Sequence, residues 1–374
     1  MAGIYIHIPF CRKACHYCDF HFSTQTNTMN DMVAAICREL DQQKTFLDKA
    51  IISTIYFGGG TPSLLPMKAL QQILARIRDN FSIAKDAEIS FEVNPDDIHQ
   101  LQLENWLAAG INRLSMGVQS FQQADLDWMN RAHTAQQSLQ SIDWVSQAGF
   151  TNFSIDLIYG SVTLTNDQWK ENLALVAAKN IPHLSAYALT VEPKTALAKQ
   201  IQQEKIADVN PEKQAKHFTI LSNWASKNGY THYEISNLAK PGFYSKHNTN
   251  YWKSVPYLGI GPSAHSFDGK KRSWNISNNA MYIQGIKNDL PIYEEEVLTE
   301  VQQVNEYIMT ALRTIEGIHL DKIRSQLGED SVNRVLRSAQ KAIHGKLISK
   351  EADILILTEE GKFLADGIAA DLFL

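Results

Sequence analysis

The sequence predicts an α/β fold: an open, partial barrel of six parallel strands, followed by a small, mainly helical, winged-helix-like C-terminal domain. Strand-like stretches alternate with helical ones six times, the alternation weakens after Glu192, and short helices dominate after about residue 280. Alternating strands and helices imply a parallel sheet with right-handed crossovers. Too few units are visible for an eight-fold barrel, so we expect domains at 1–280 and 281–374.

The predicted elements follow one another in a regular order. In the first, Ile4, Ile6 and Ile8 alternate with Tyr5 and His7, a period of two that is typical of a strand. The predicted strands occupy 3–9, 52–57, 88–93, 111–118, 150–159 and 183–189. The predicted helices between them occupy 30–50, 66–81, 98–109, 134–148 and 166–179. Beyond the barrel we expect a helix at 211–228, a strand at 230–235, a loop-rich stretch at 241–266 and a strand at 354–357.

Composition limits the classes of protein that fit. The chain has 374 residues, of which 44% are hydrophobic, enough for a sizeable core. Its net charge of −5 argues against general nucleic-acid binding. No apolar run approaches the ~20 residues of a membrane span. The chain has four cysteines and no secretory signal, so we expect a cytoplasmic protein without a disulfide framework. Peripheral contact with a membrane is compatible with this composition.

Three cysteines lie close together near the start of the chain. Cys11, Cys15 and Cys18 have the spacing C-x3-C-x2-C. Three thiolates are one fewer than an ordinary [4Fe–4S] cluster takes, so one iron would stay open for a small molecule such as S-adenosylmethionine. Spacing alone leaves two alternatives, structural zinc with His16 or His21 as the fourth ligand and three unrelated thiols. The fourth cysteine falls in a predicted helix, where we expect a buried apolar role.

Unusual residues recur where the predicted strands end, the edge at which parallel sheets bind ligands. The cysteine loop follows the first strand, and three glycines, 58–60, follow the second. The other residues at this rim are Glu92, Asn94, Gln119, Asp156 and Tyr187. Glycine lets the backbone approach a ligand, Glu92 can accept hydrogen bonds from ribose hydroxyls, and Arg131 can pair with a carboxylate. These residues predict one binding site.

A second segment, 246–252, places His247 beside two aromatic residues in a predicted loop. Imidazole is a common axial ligand of haem iron, and aromatic rings can flank a flat macrocycle. A loop histidine whose aromatic neighbours pack on the barrel fits the same pattern. The residues alone leave both interpretations open.

Taken together, these motifs resemble the radical S-adenosylmethionine (SAM) proteins of the oxygen-independent coproporphyrinogen III oxidase group. The matching strings span roughly residues 4–267: YIHIPFCRKACHYC, FGGGTP, FEVNP, RLSMGVQSF, IDLIYG, YEISNLA and KHNTNYW. The resemblance implies a [4Fe–4S] cluster on the three cysteines, bound SAM, and that group's small C-terminal domain. Positions matching the family's SAM contacts are Tyr5, Tyr17, Gly59, Gly60, Thr61, Glu92, Gln119, Arg131, Asp156 and Ala188. Some of these serve a second SAM in the oxidase, so the number bound stays open.

Two departures favour the haem-chaperone branch of this group over the oxidase itself. Phe20 stands where the oxidase carries a further cysteine, and only ten residues precede Cys11, where the oxidase has a longer segment. The string HNxxYW, associated with haem binding in that branch, is present here as His247, Asn248, Tyr251 and Trp252.

The resemblance therefore implies a protein that binds haem and delivers it to acceptors such as membrane-bound respiratory enzymes. An electron donor would reduce its cluster. The alternative is an oxidase that converts coproporphyrinogen III to protoporphyrinogen IX by oxidative decarboxylation.

Overall fold

The computed structural model describes residues 1–374 and contains a large and a small sheet. The strands of the large sheet are β1 (Ala2–Ile8), β2 (Ile52–Gly59), β3 (Ile83–Val93), β4 (Arg113–Gln119), β5 (Phe153–Tyr159), β6 (His183–Ala188), β7 (Thr231–Glu234), β8 (Asn237–Ala239), β9 (Tyr257–Ile260), β10 (His265–Phe267), β11 (Lys271–Asn275) and β12 (Tyr293–Val297). The strands of the small sheet are β13 (Ile318–His319), β14 (Ile348–Glu351) and β15 (Ile354–Leu357).

Fourteen α-helices connect and cover these strands. Those before β6 are α1 (Met29–Gln42), α2 (Met67–Asn80), α3 (Gln100–Ala109), α4 (Gln123–Trp128), α5 (Ala135–Gln147) and α6 (Asn166–Ala178). Those after it are α7 (Ala196–Gln202), α8 (Pro211–Lys227), α9 (Lys246–Trp252), α10 (Asn279–Lys287), α11 (Glu300–Leu312), α12 (Leu320–His344), α13 (Glu359–Lys362) and α14 (Ala365–Asp371). Short 3-10 turns at Pro62–Leu64 and Pro95–Asp97 follow β2 and β3.

The six predicted parallel strands are confirmed. β1 to β6 lie side by side in sequence order, and each pairs in parallel with the next. The sheet extends beyond them as β12-β11-β10-β9 on the β1 side and β8-β7 on the β6 side. The two outermost strands do not pair with each other, so the barrel is open, as expected.

The stretch 241–266, expected to be loop-rich, differs from the prediction. It contains α9, β9 and the start of β10, and β9 pairs in parallel with β1. These elements are three to seven residues long. Such short segments complete too little of a period for hydrophobic alternation to reveal them.

The hydrophobic residues form two main cores. One is formed by the barrel strands and the helices that cover them, and the other lies in the C-terminal part. Tyr282, Ile286 and Ile292 belong to the barrel core, whereas the C-terminal core begins at Val304. The expected boundary near residue 280 stays a prediction, and this packing leads us to propose a later one, between Ile292 and Val304. The C-terminal part is mainly helical, as the sequence predicts, and β15 coincides with the strand expected at 354–357. The strands β13 and β14, which complete its three-stranded sheet, were not predicted. No helix has the length and apolar character needed to cross a membrane.

Candidate functional site

The cysteine loop connects β1 to α1 and is fixed by backbone hydrogen bonds to distant segments. The His16 N–H donates to the Met129 carbonyl oxygen at 3.1 Å, and the Leu197 N–H donates to the His16 carbonyl oxygen at 2.8 Å. The Asn130 side-chain amide donates to the Ala14 carbonyl oxygen at 2.7 Å. These bonds hold the loop over the carboxyl ends of the strands, although it has no regular secondary structure of its own.

Beneath the loop lies a cavity of about 440 Å³, and nearly all the predicted cluster and SAM residues line it. The predicted residues that line it are Cys11, Cys15, Cys18, Tyr17, Gly59, Gly60, Thr61, Glu92, Gln119, Arg131, Asp156 and Ala188. Tyr5 does not line the cavity; its hydroxyl lies 3.1 Å from His7 Nδ1, and its ring stacks on Tyr56 at 6.1 Å. The structure therefore brings these residues together at the carboxyl ends of the strands, and their role as one binding site stays a prediction.

The glycine turn at the end of β2 is required by close packing against the residues that follow β1. Gly59 has φ +105°, a backbone conformation that side chains rarely adopt. A Cβ at Gly60 would stand 2.6 Å from the Phe10 carbonyl oxygen. The Gly60 N–H donates to the Ile8 carbonyl oxygen at 2.9 Å, which fixes the turn beside the start of the cysteine loop.

A chain of side-chain hydrogen bonds joins two of the cysteines. Arg131 Nη1 donates to Cys15 Sγ at 3.2 Å, and its Nη2 donates to Asn94 Oδ1 at 2.6 Å. Asn94 Nδ2 donates to Thr61 Oγ1 at 3.1 Å, and the Thr61 hydroxyl donates to Cys11 Sγ at 3.5 Å. The chain orients Arg131 and Thr61 along one wall. The sequence places Asn94 at the rim of the predicted site but not among the SAM contacts. In the structure, its side-chain amide links Arg131 to Thr61.

Two carboxylates lie deep in the same cavity. Burial raises the pKa of Glu92 to about 8, the neighbouring Asp156 adds to this rise, and hydrogen bonds from Tyr56 and Gly59 oppose it. Burial likewise raises the pKa of Asp156 to about 6, against a hydrogen bond from Ser185 and two nearby arginines. Without a ligand, Glu92 is therefore largely protonated near neutral pH. A partner that donates hydrogen bonds, such as a ribose hydroxyl, would favour its ionised form.

Among the cavity residues that sequence reasoning missed are Tyr56 and Arg113. The Tyr56 hydroxyl donates to Glu92 Oε1 at 2.7 Å. Arg113 is 1% exposed, donates to Ser154 Oγ at 3.2 Å and has Nε 3.8 Å from a Glu88 carboxylate oxygen. A cation at the start of an otherwise apolar strand was the available signal, because buried arginine needs a nearby charge.

The zinc alternative finds no support in the geometry. No group of three or more cysteine, histidine and carboxylate side chains is arranged to hold a single metal ion. His16 Nδ1 lies 2.8 Å from the Trp128 carbonyl oxygen, and His21 Nε2 lies 2.7 Å from Asn279 Oδ1. Each of the two candidate fourth ligands therefore uses one ring nitrogen in a hydrogen bond within the protein.

His247 lies in α9, which fills the opposite, amino end of the barrel beside Gly3 and Thr54. It is 2% exposed; its Nδ1 hydrogen-bonds Thr54 Oγ1 at 2.9 Å and its Nε2 hydrogen-bonds the Tyr251 hydroxyl at 2.9 Å. Burial and the nearby Arg113 lower the pKa of His247 to about 3. The imidazole is therefore neutral, and both of its ring nitrogens have partners.

The other three fixed positions of the HNxxYW string, Asn248, Tyr251 and Trp252, lie in three different environments. Asn248 lines the cysteine cavity. The Tyr251 ring packs edge-on against His247 at 4.8 Å and Tyr257 at 4.6 Å. Trp252 is half-buried, with Arg313 Cζ 5.5 Å from its ring centroid. The string therefore does not form one continuous surface.

Comparison with known families agrees with this architecture. Residues 5–176 match the model of the radical SAM superfamily, and residues 298–364 match that of the HemN C-terminal domain. A solved structure of coproporphyrinogen III oxidase (HemN) from Escherichia coli, described as a radical SAM enzyme, superposes with a TM-score of 0.87 at 24% identity. The superposition covers 100% of this chain and 90% of that one. At this identity the match shows the fold.

Proteins of similar sequence identify the family to which the chain belongs within this superfamily. The heme chaperone HemW of Synechocystis sp. is 36% identical over 325 residues, which cover 84% of this chain and 78% of that protein. HemW of Mycobacterium tuberculosis is 32% identical and HemW of Bacillus subtilis 31% identical, with 94% and 98% of those proteins covered. These matches extend over both the barrel and the C-terminal part. The chain therefore belongs to the HemW family of the radical SAM superfamily.

Proposed function

We propose that this protein is a haem chaperone that binds haem and passes it to acceptor proteins. The observation that carries the proposal is the match to proteins named heme chaperone HemW along nearly their whole length. Membership of the radical SAM superfamily implies a [4Fe–4S] cluster and SAM. The acceptors we expect are haem-dependent proteins, membrane-bound respiratory enzymes among them, and an electron donor would serve the cluster.

Cys11, Cys15 and Cys18 are the residues that would hold the cluster. All three line one cavity, whereas Cys37 is 5% exposed inside α1 and belongs to the barrel core. Phe20, at the position of the oxidase's further cysteine, is 68% exposed and offers no ligand. Bound by these thiolates, a cluster with one open iron would supply one electron to SAM. The donor set therefore fits a three-cysteine site.

The surrounding residues would bind and orient SAM. Glu92 can accept hydrogen bonds from the ribose hydroxyls, and its hydrogen bond with Tyr56 fixes its orientation. The glycine turn at 58–60 exposes backbone groups close to the cysteine loop. Arg131, held by Asn94 and the Gly117 carbonyl oxygen, places a cation beside Cys15 and so favours bound anionic groups. Tyr5 would act only indirectly, through its contact with Tyr56.

His247 supports this function indirectly, through its contact with Tyr56. Because both ring nitrogens have side-chain partners and the ring is 2% exposed, the imidazole is not available to an iron in this conformation. Its ring stacks on Tyr56 at 5.0 Å, and Tyr56 in turn bonds Glu92. We therefore assign His247 a positioning role, with Asn248 as the member of its string that reaches the cavity.

The test of the proposed function combines hemin binding with haem transfer. Anaerobically reconstituted protein should bind hemin saturably, as followed by absorption spectroscopy, and should transfer it to an apo-haem protein faster than free hemin partitions. Coproporphyrinogen III should remain unchanged in an anaerobic assay with SAM and a reductant. Conversion to protoporphyrinogen IX would instead identify the oxidase, and absence of saturable hemin binding would refute the chaperone function.

A further inference from the structure

Two of the three cavity cysteines accept a hydrogen bond from a side chain of the barrel rim. Arg131 Nη1 donates to Cys15 Sγ at 3.2 Å, and the Thr61 hydroxyl donates to Cys11 Sγ at 3.5 Å. Both donors match positions at which the family contacts SAM, yet in this structure they point at sulfur atoms. A contact to SAM does not explain these bonds, because their acceptors are the thiols themselves.

The protein holds the Arg131 guanidinium group in this orientation. Its Nη2 donates to Asn94 Oδ1 at 2.6 Å and to the Gly117 carbonyl oxygen at 2.8 Å. The backbone is fixed as well, because the Arg131 N–H donates to the Leu126 carbonyl oxygen at 2.9 Å. With Nη2 occupied in this way, Nη1 is directed at Cys15.

The positive charge of Arg131 is available to the sulfur atom. The neighbouring Arg12 is paired with Asp97 at 2.6 Å, whereas Arg131 forms no salt bridge. The Nε atom of Arg131 is buried and has no hydrogen-bond partner. Partly buried charges are screened by the solvent far less than exposed ones, so this cation acts strongly on Cys15.

Thr61 is fixed as firmly as Arg131. It is 3% exposed, and its carbonyl oxygen accepts the Leu64 N–H at 3.1 Å. Asn94 Nδ2 donates to Thr61 Oγ1 at 3.1 Å. Because this bond makes the hydroxyl oxygen an acceptor, the hydroxyl proton is left to be donated to Cys11. The Asn94 amide therefore orients both donors.

Hydrogen bonds to the sulfur atoms are among the factors that set the reduction potential of an iron–sulfur cluster, together with net charge and solvent exposure. Reduction adds negative charge to the cluster and its sulfur ligands. The three cysteines are only partly exposed, and added negative charge is stabilised less there than in water. A donor aimed at sulfur stabilises the reduced form more than the oxidised form, so it raises the reduction potential.

We propose that Arg131 and Thr61 set the reduction potential of the cluster through these two hydrogen bonds, an inference that rests on the proposed three-cysteine cluster. The step concerned is the gain of one electron by the cluster from a one-electron donor. No covalent bond forms or breaks in this step, and both side chains keep their protons. By making the cluster easier to reduce, the two side chains favour the electron transfer that precedes SAM cleavage.

The test is an anaerobic redox titration of the full-length, reconstituted protein without SAM, followed by EPR spectroscopy of the reduced cluster. Thr61→Val keeps the shape of the side chain and removes the hydroxyl, so it should lower the equilibrium constant for reduction by about threefold. Thr61→Ser should restore the wild-type value. Arg131→Gln should lower the constant by about tenfold, a shift of about 59 mV for one electron. Thr151→Val and Arg337→Gln, at exposed positions outside the cavity, should leave it unchanged.

The outcomes separate this inference from the cluster on which it rests. Unchanged potentials for Thr61→Val and Arg131→Gln, at full iron and sulfide content, would overturn the inference and leave the cluster and the chaperone function intact. If either variant assembles no cluster, Asn94→Ala decides, because it leaves both donors in place and removes what orients them. A lower potential for Asn94→Ala supports the inference, and a wild-type potential overturns it. Wild-type protein without a four-iron cluster would overturn the cluster and this inference together.

Discussion

At the carboxyl ends of β1 to β6, polar side chains face a cavity, whereas at the amino ends α9 fills the barrel and every polar group of His247 is paired. Glu92 and Asp156 lie within reach of a ligand and have raised pKa values. His247 is 2% exposed, with partners for both ring nitrogens. Histidine, tyrosine and asparagine occur at both ends, so residue type alone does not distinguish a binding group from a structural one. What distinguishes them is whether packing leaves their hydrogen-bonding atoms free.

The largest effect that would test this contrast concerns the cysteines. Replacing Cys11, Cys15 or Cys18 with alanine should abolish a stable four-iron site, because two thiolates cannot hold the cluster. Cys37→Ala should retain full iron and sulfide content, since this residue lies in the core. Iron and acid-labile sulfide analysis of anaerobically reconstituted protein measures both. Loss of the cluster from Cys37→Ala would show that the cavity does not define the ligand set.

The second effect is on stability, at the amino end. His247→Ala removes two buried side-chain hydrogen bonds and opens a cavity, so the free energy of unfolding should fall by about 2–4 kcal/mol. His344→Ala, at an exposed histidine, should change it by less than about 0.5 kcal/mol. Urea unfolding of the two variants and the wild type provides the comparison. An unchanged stability for His247→Ala, with an altered hemin spectrum, would place His247 in contact with haem instead.

The third effect is a pH dependence at the carboxyl end. The pKa of Glu92 is about 8 in the folded protein against an ordinary value of 4.5. Because Glu92 ionises at lower pH in the unfolded chain than in the folded protein, the free energy of unfolding falls as pH rises from about 4.5 to 8. Glu92→Gln should therefore stabilise the ligand-free protein relative to wild type at pH 8.5, by on the order of 1 kcal/mol, and little at pH 4.5.

The same substitution should weaken SAM binding by about 10–100-fold, because a neutral amide replaces a charged acceptor. Glu104→Gln, at an exposed position of α3, is the matched control for both measurements. Urea unfolding at the two pH values and equilibrium SAM binding at pH 8 would measure them. A variant that binds SAM as tightly as the wild type would remove Glu92 from the site.

The smallest effect concerns the link between the cysteines. Asn94→Ala removes the acceptor that orients Arg131 and the donor to Thr61, and should weaken SAM binding by about 3–10-fold while the cluster is retained. Asn333→Ala, exposed on α12, serves as the control. Isothermal titration with SAM would measure both. Equal affinity for the Asn94 variant and the wild type would mean that Arg131 keeps its orientation without this bond.

The two ends of the barrel also differ in how far the sequence predicts them. The strand ends could be located because the strands show a period of two or follow helical stretches in a regular order, and because parallel strands bring residues such as Glu92 and Asp156 to one edge. The seven residues of α9 give no such periodicity, so His247 was placed in a loop and its buried partners Thr54 and Tyr251 could not be inferred.

A cleft of about 1140 Å³ between the barrel and the C-terminal helices was beyond sequence reasoning for a related reason. Its walls come from β5, β6, α8, α12, α14 and the segment around Phe363, which meet only through tertiary packing. No spacing between these residues signals their proximity. The exposed Phe363 and Leu364 are also unremarkable in sequence, because hydrophobic residues are common on protein surfaces.

The backbone bonds that fix the cysteine loop have a consequence for how the protein matures. The loop is synthesised before its bonding partners Met129, Asn130 and Leu197, which lie more than a hundred residues later in the chain. During translation, the three thiols leave the ribosome long before the barrel that shapes their loop exists. If the cluster binds only the shaped loop, its delivery follows synthesis of Leu197, and the three thiols are exposed to oxidation or to other metals until then.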